Sequence, residues 1–440
     1  MLTAAVARRL SVPLPALRLL GSGGHDAATG ALLRAAEHSK RMLLLALLRT
    51  RLTDGAAVEQ WALIEAAQRA APEPVREVLL HPTVGTWAEE TLRRLADPRS
   101  ALPADTARLG ALAAAAALRA GIPFTLTVHS PGRLLSLPSL GALRRPAPGP
   151  VRLDDTGWPG GPDAAALTLH RLGPAGPLLD DLDPYRVPPP TDRTRAARRL
   201  GPQGRAQWDA RFGAAREVLR RIDDRRDREV GELLRCVVPL ARTSRSASAT
   251  APAAHSAVLV RPCPPLHLAA ALVHEVQHGK LAALSDLVQL HTADTAARHW
   301  APWRPDPRPF DGLLHGTYAH LALADLWQRA ALAGMPGAWP RHARYRAQVA
   351  AVLPEVERAP ELTRAGGEFV AAMAATERAM GEHPPSAGLW REARLAVRAA
   401  APTRGAGPDL MHASQEPIQE RSAARRAARL VKDADQERPQ

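Results

Sequence analysis

The chain has 440 residues, 46% of them hydrophobic and 23% charged, with 58 Lys plus Arg against 44 Asp plus Glu and a formal net charge of +14. That length holds two or three core-bearing units, and a mean hydropathy of -0.20 argues against an integral membrane protein. The basic excess is almost all Arg, Lys occurring only at 40, 280 and 432. Diffuse charge of this kind steers anions without specifying a partner, so no specific nucleic acid is expected.

Cys236 and Cys263 are the only cysteines. They are too few for a disulfide framework and lack C-x-x-C spacing, so any metal is expected on nitrogen and oxygen ligands. The segment from Met1 to Leu20 mixes Arg8, Arg9 and Arg18 with two prolines, and no apolar run reaches 18 residues. Neither a secretory signal nor a membrane span is expected, which makes the expected location cytoplasmic.

Residues 1–120 read as an N-terminal helical region, with helical spacing from Ala31 to Arg51 and from Ala56 to Ala70, and an alanine-dominated stretch from Ala107 to Ala120. The period then changes. Phe124, Leu126 and Val128 alternate with Thr125, Thr127 and His129, and Gly and Pro interrupt the chain up to Pro190, which predicts a small β or loop-rich insert over 121–190. Helical pattern returns between Thr191 and Leu234, with Arg220, Arg221, Asp223 and Asp224 read as a solvated face.

Residues 256–260 suggest a short strand. After prolines 262, 264 and 265 a helix is expected from Leu266 to Leu290, and Asp311 is read as the cap of another helix running to Ala333. The fold class is therefore mainly α: a multi-helix metalloenzyme with the insert and a metal site on two packed helices. Residues 191–400 form the helical metal-binding region, and 401–440, polar and poor in large apolar residues, read as a disordered tail. No heptad pattern points to an oligomeric state.

The chemistry concentrates in His274-Glu275-Val276-Gln277-His278. Histidines four apart share one helix face and both reach one cation, while the adjacent Glu can act as a general base on bound water. Composition alone predicts about 0.03 such matches in a chain like this one, so the segment is taken as a site. The bland reading is a helix with two buried, hydrogen-bonded histidines.

Eight of the 16 histidines lie between His255 and His320, so a third ligand is sought there. His291 is too far along a continuous helix, unless that helix breaks. The metzincin continuation needs Gly at 281 and His at 284, where this chain has Leu281 and Leu284, and no Glu occurs between Glu275 and Glu355 to serve a thermolysin-like site. His315 and His320 remain, five apart and about 140° around the helix.

His315 is favoured, because Gly312 and Gly316 would let its helix approach the motif helix closely. His320, among Leu321 and Leu323, reads as a core residue, with Asp311 and Asp325 as outside candidates. Arg304 and Arg308 flank a proline-rich loop and are candidate anion clamps. Lys280 follows the motif and is a further candidate at a cofactor. Trp303, Tyr318 and Trp327 line either a peptide pocket or the core.

Three strings together, Leu272 to Leu281, the Pro-Trp-Arg-x-Asp-x-Arg-Pro loop at 302–309 and Gly-Leu-Leu-His-Gly-x-Tyr-Ala-His at 312–320, resemble bacterial HExxH-motif proteins of ribosomal-peptide natural-product systems. The likeness is strongest over 240–335. Ser244, Ser246 and Ser248, and the segment His38-Ser39-Lys40-Arg41, fit it more loosely.

The resemblance implies a 2-oxoglutarate-dependent peptide β-hydroxylase acting on a precursor peptide. Fe(II) would sit on His274, His278 and His315, with Arg304 or Arg308 holding the co-substrate carboxylate. Two other readings stand beside it: a zinc peptidase with Glu275 as general base, and a non-catalytic peptide-binding protein. Under the hydroxylase reading Glu275 need not be a general base; it would ligate the iron weakly or orient a ligand.

Overall fold

A computed structural model describes residues 11–97, 99, 105–156, 166–188 and 194–401. The expected tail at 402–440 lies outside them. The first part is helical: α1 (Leu14–Gly21), α2 (Ala27–Arg51), α3 (Gly55–Ala70), α4 (Pro72–Leu79), α5 (Pro82–Ala96) and α6 (Arg108–Ala120). Seven short strands follow: β1 (Thr125–Ser130), β2 (Leu134–Leu137), β3 (Gly141–Arg144), β4 (Gly149–Asp154), β5 (Ala166–Thr168), β6 (His170–Arg171) and β7 (Leu178–Leu179).

The long α7 (Pro202–Leu233) leads to β8 (Cys236–Pro239), β9 (Ser248–Ala249) and β10 (Ala257–Val260). Then come α8 (Pro265–Leu287), α9 (Phe310–Leu332), α10 (Ala338–Glu357), α11 (Arg364–Ala379) and α12 (Ala387–Ala399). The protein is mainly helical with small sheets, and among the described residues no helix is long and apolar enough to cross a membrane.

Local chemistry explains several boundaries. Asp26 and Thr29 form a reciprocal capping box at the start of α2, with Thr29 N–H donating to Asp26 Oδ1 at 2.8 Å and Asp26 N–H to Thr29 Oγ1 at 2.9 Å. Pro265 opens α8, where a missing N–H costs nothing. Gly121 ends α6 at φ 65°, a left-handed cap that suits glycine. Asp311 does not cap α9; Pro309 holds that position and Asp311 lies within the first turn.

On α7, Arg220, Arg221 and Asp224 of the expected solvated face are exposed, and Asp223 is the exception. Asp223 breaks the helical path at φ -158° and ψ 96° and is buried, paired with Arg225 and Arg329. The turn inward gives its carboxylate two guanidinium partners at a kink, where a straight helix would have pointed it to water.

Three larger cores organise the chain, two of them built mainly from helices. One joins α2 to α6 with β1, β2 and β4, and within it Ala113 to Ala117 are fully buried, their small side chains letting α6 run through the middle. The other gathers α9, α10, α11 and the end of α8, and it also takes in Leu17 and Leu20 of α1 and Leu33 of α2. Tyr318 ties this junction by donating its hydroxyl to Leu20 O at 2.6 Å.

The third core is built on a five-stranded sheet in the order β6-β7-β8-β10-β9, in which β8 runs parallel to both β7 and β10. The last strands of the β insert thus pair with strands beyond α7. Val258 and Val260 of that sheet pack with Leu268, Leu272 and Val276 of α8, so the motif helix is held on the sheet by its apolar face.

Candidate functional site

α8 and α9 pack side by side and bring four imidazoles into a row. His274 and His278, one turn apart, place their Nε2 atoms 3.2 Å from each other. His320 lies beyond His274, with ring centroids 5.4 Å apart, and His315 lies beyond His278 at 5.8 Å. The two α9 histidines do not share one point; they bracket the pair from its two ends, as their spacing of five requires.

Burial favours the neutral form at three of these rings. It lowers His274 and His315 to about 4 and His320 to about 3, the neighbouring His291 and His274 adding to the effect on His315 and His320 respectively. Part of the His274 ring is exposed, but its Nδ1 is buried with no hydrogen-bond partner among the described residues. His320 has a defined tautomer: Nδ1 lies 2.8 Å from Gly316 O and must carry the proton, which leaves a lone pair on Nε2.

Two metal–nitrogen bonds of about 2.1 Å spanning the observed separation would subtend about 100°, between the octahedral and tetrahedral values. Imidazole nitrogens at that spacing fit two positions of a divalent-metal shell. No third His, Cys, Asp or Glu donor among the described residues stands within 4.8 Å of both.

The neighbours of the row are specific. Trp303 stacks on His320 at 4.2 Å, and Tyr345 lies at 5.5 Å on another side. A Cβ on Gly316 would lie 2.5 Å from the Trp303 ring, and one on Gly312 3.2 Å from Arg308. These two glycines therefore seat the 302–309 loop. The expectation that they serve the approach of α8 is corrected: they face Trp303 and Arg308.

α8 ends at Leu287, so the condition that removed His291 does not hold. The chain returns His291 to 3.2 Å from Asp311 Oδ1, and the same oxygen lies 3.9 Å from His315 Nε2.

Glu275 points elsewhere. Its Oε1 accepts a hydrogen bond from Ser248 Oγ at 2.7 Å, and it lines a pocket with Leu33, Val258, Val276 and Lys280, a lining that includes neither His274 nor His278. Burial raises its carboxyl to about 7, against the lowering effect of Ser248. Ser248 falls in the Ser-rich stretch noted in the sequence, but only the folded chain joins it to the motif.

Arg304 and Arg308 converge on one carboxylate. Arg304 donates through Nε and Nη2 to the two oxygens of Asp306 at 3.1 and 3.2 Å, and Arg308 Nη1 reaches Oδ2 at 3.5 Å. Burial would raise Asp306, and the Arg304 contact outweighs it and holds the carboxyl below its usual value. The loop thus already grips an acid through two guanidiniums.

Lys280 is fully engaged. Nζ donates to Glu229 at 2.5 Å and to Gly24 O and Gly23 O at 2.8 and 3.3 Å. All three donors are used, so the cofactor-binding role expected for it has no donor left. Glu229 also receives Arg226 and Gln277, and despite burial the Lys280 and Arg226 cations hold it down to about 2. Asp325, an outside ligand candidate, pairs with Arg329 and Arg226 in the same region. Trp327 is core, and Tyr318 is core with its hydroxyl satisfied.

No protein-family model matches the sequence, and neither does any curated protein.

Proposed function

We propose that the chain is an Fe(II)- and 2-oxoglutarate-dependent hydroxylase acting on the β-carbon of a residue in a ribosomally made precursor peptide. His274 and His278 would hold the metal, and an α9 histidine would complete the set. His320 is better prepared for this than His315, since its proton is committed to Gly316 O and its lone pair is available, whereas His315 Nε2 lies toward Asp311. When bound, Fe(II) with 2-oxoglutarate supplies the oxidising power to convert a C–H bond to an alcohol with O₂.

Arg308, seated against Gly312 about one turn before His315, would take the distal carboxylate of the co-substrate in exchange for Asp306. Trp303 and Tyr345 close the side of His320 and keep water from it. The observation that carries this reading over a zinc peptidase is the attachment of Glu275 to Ser248 in a pocket that neither imidazole lines. A general base must reach the water it activates.

The deciding experiment loads anaerobically purified protein with Fe(II) and then admits oxygen. Consumption of 2-oxoglutarate with addition of one oxygen atom to a peptide is expected. Hydrolysis of the peptide with Zn(II), without oxygen, would establish the peptidase instead. Equal metal content in wild type and His274→Ala would remove both enzyme readings and leave a peptide-binding protein.

A further inference from the structure

Far from the motif in sequence, three buried side chains meet where α5 abuts the central sheet. His81 is the residue that begins α5, Asp180 immediately follows β7, and Cys236 opens β8. In the parallel β7–β8 pair Leu178 stands opposite Cys236, and the alternation of side chains puts Asp180 on the same face as Cys236. Asp180 is held there by its own N–H, which donates to Val237 O at 2.9 Å. Among the described residues these are the three whose ligand atoms all lie within 4.8 Å of one another, and their exposures are 4%, 0% and 1%.

The hydrogen bonding is incomplete on one side only. His81 Nδ1 bonds Thr83 Oγ1 at 2.8 Å, and Asp180 Oδ1 accepts the N–H groups of Leu182 and Asp183 at 3.0 and 2.9 Å. The opposite atoms, His81 Nε2 and Asp180 Oδ2, are buried and have no partner. Folded proteins rarely leave two such atoms facing one another. The Thr83 hydroxyl can accept from Nδ1, and His81 then presents a lone pair on Nε2, the tautomer a metal requires.

We propose that His81 Nε2, Asp180 Oδ2 and the Cys236 thiolate form a second, structural site for a divalent cation of the zinc class, which staples α5 to β7 and β8. Two anionic donors and one neutral donor cancel the charge of a divalent ion, so the filled site adds no net charge to a dry interior. Nitrogen, oxygen and sulfur donors together select a borderline ion such as Zn(II) over Mg(II) or Ca(II). Without an ion each group is driven toward its neutral form: burial lifts Asp180 to about 6, aided by Asp183, pushes the Cys236 thiol up, and lowers His81 to about 4. The neighbouring Asp183 is committed to Arg108. The site shares no residue with the α8 histidines, so it stands or falls independently of the hydroxylase reading.

The test uses the full chain, stripped with chelator and titrated with Co(II). A thiolate-to-cobalt charge-transfer band is expected in wild type and in His274→Ala, and Zn(II) should displace the cobalt and abolish it. Cys263→Ser must keep the band, since Cys236 is then the sole thiol and no core residue has been altered. Cys236→Ser should lose the band, and His81→Gln should weaken cobalt binding at least tenfold. A folded wild-type protein with no thiolate band overturns the proposal, as does loss of the band in Cys263→Ser or its survival in Cys236→Ser.

Discussion

The two sides of α8 differ in how their polar groups are spent. On one, Lys280 and Gln277 are joined to Glu229, Arg226 and the backbone of Gly23 and Gly24 in a buried ionic network with every Lys280 donor used. On the other, His274 and His278 face each other, with His315 and His320 beside them. A saturated network holds helices together and has nothing left to offer a ligand. Imidazoles whose burial favours the neutral form, as at His274, His315 and His320, are suited to bind a metal.

The sharpest way to break this comparison is to truncate one residue from each side. Lys280→Ala leaves Glu229 short of a cation in the interior and is expected to cost about 3–5 kcal/mol in denaturant unfolding. His274→Ala, measured without metal, removes a ring whose Nδ1 is already unpartnered and is expected to cost no more than about 1–2 kcal/mol. Equal losses would mean that the imidazole side is ordinary core.

Next in size is Gly316→Ala. A Cβ 2.5 Å from the Trp303 ring must displace either the loop or α9, at about 1–3 kcal/mol. Tryptophan fluorescence should report the loss of the Trp303–His320 stack. Unchanged emission and stability would show that the loop is not locked to the histidine row.

The acid dependence of the metal-free protein sharpens the contrast further. His274, His315 and His320 have folded values of about 4, 4 and 3, below the ordinary 6.5, so their contribution to stability is full above pH 6.5 and disappears as pH falls through those values. Glu275, raised to about 7, runs oppositely: its contribution is full below pH 4.5 and is lost as pH rises through 7. His81, lowered to about 4, has the imidazoles' sign and Asp180, raised to about 6, has that of Glu275, so four imidazoles outweigh two carboxyls. Unfolding free energy should therefore fall between pH 6.5 and 4. A protein as stable at pH 5 as at pH 7 would contradict the burial of the row.

Features set by local spacing were legible in the sequence. α8, α9 and the strand at 257–260 follow from periodicity and proline placement, and the i, i+4 histidines come together as that spacing demands. What could not be read was set by tertiary contact. Asp306 between two arginines, Lys280 in its network and Glu275 on Ser248 each depend on a partner whose direction no periodicity encodes. The His81, Asp180 and Cys236 trio is drawn from three elements spread between residues 81 and 236, and a spacing rule that looks for neighbouring cysteines passes over it.

The smallest expected effect bears on Glu275, where the enzyme readings divide. Ser248→Ala removes the hydroxyl that donates to Glu275 Oε1 at 2.7 Å, a loss of about 1 kcal/mol for a buried acceptor. Ser248 lowers the Glu275 carboxyl, so without it burial acts unopposed and the group moves above about 7. A peptidase that needs the ionised carboxylate as base would then lose rate at neutral pH and recover it as pH rises. A hydroxylase that leaves Glu275 out of its chemistry would keep its 2-oxoglutarate consumption within about twofold of wild type across the same range. The pH profile of Ser248→Ala thus separates a residue that works on the substrate from one that only ties α8 to β9.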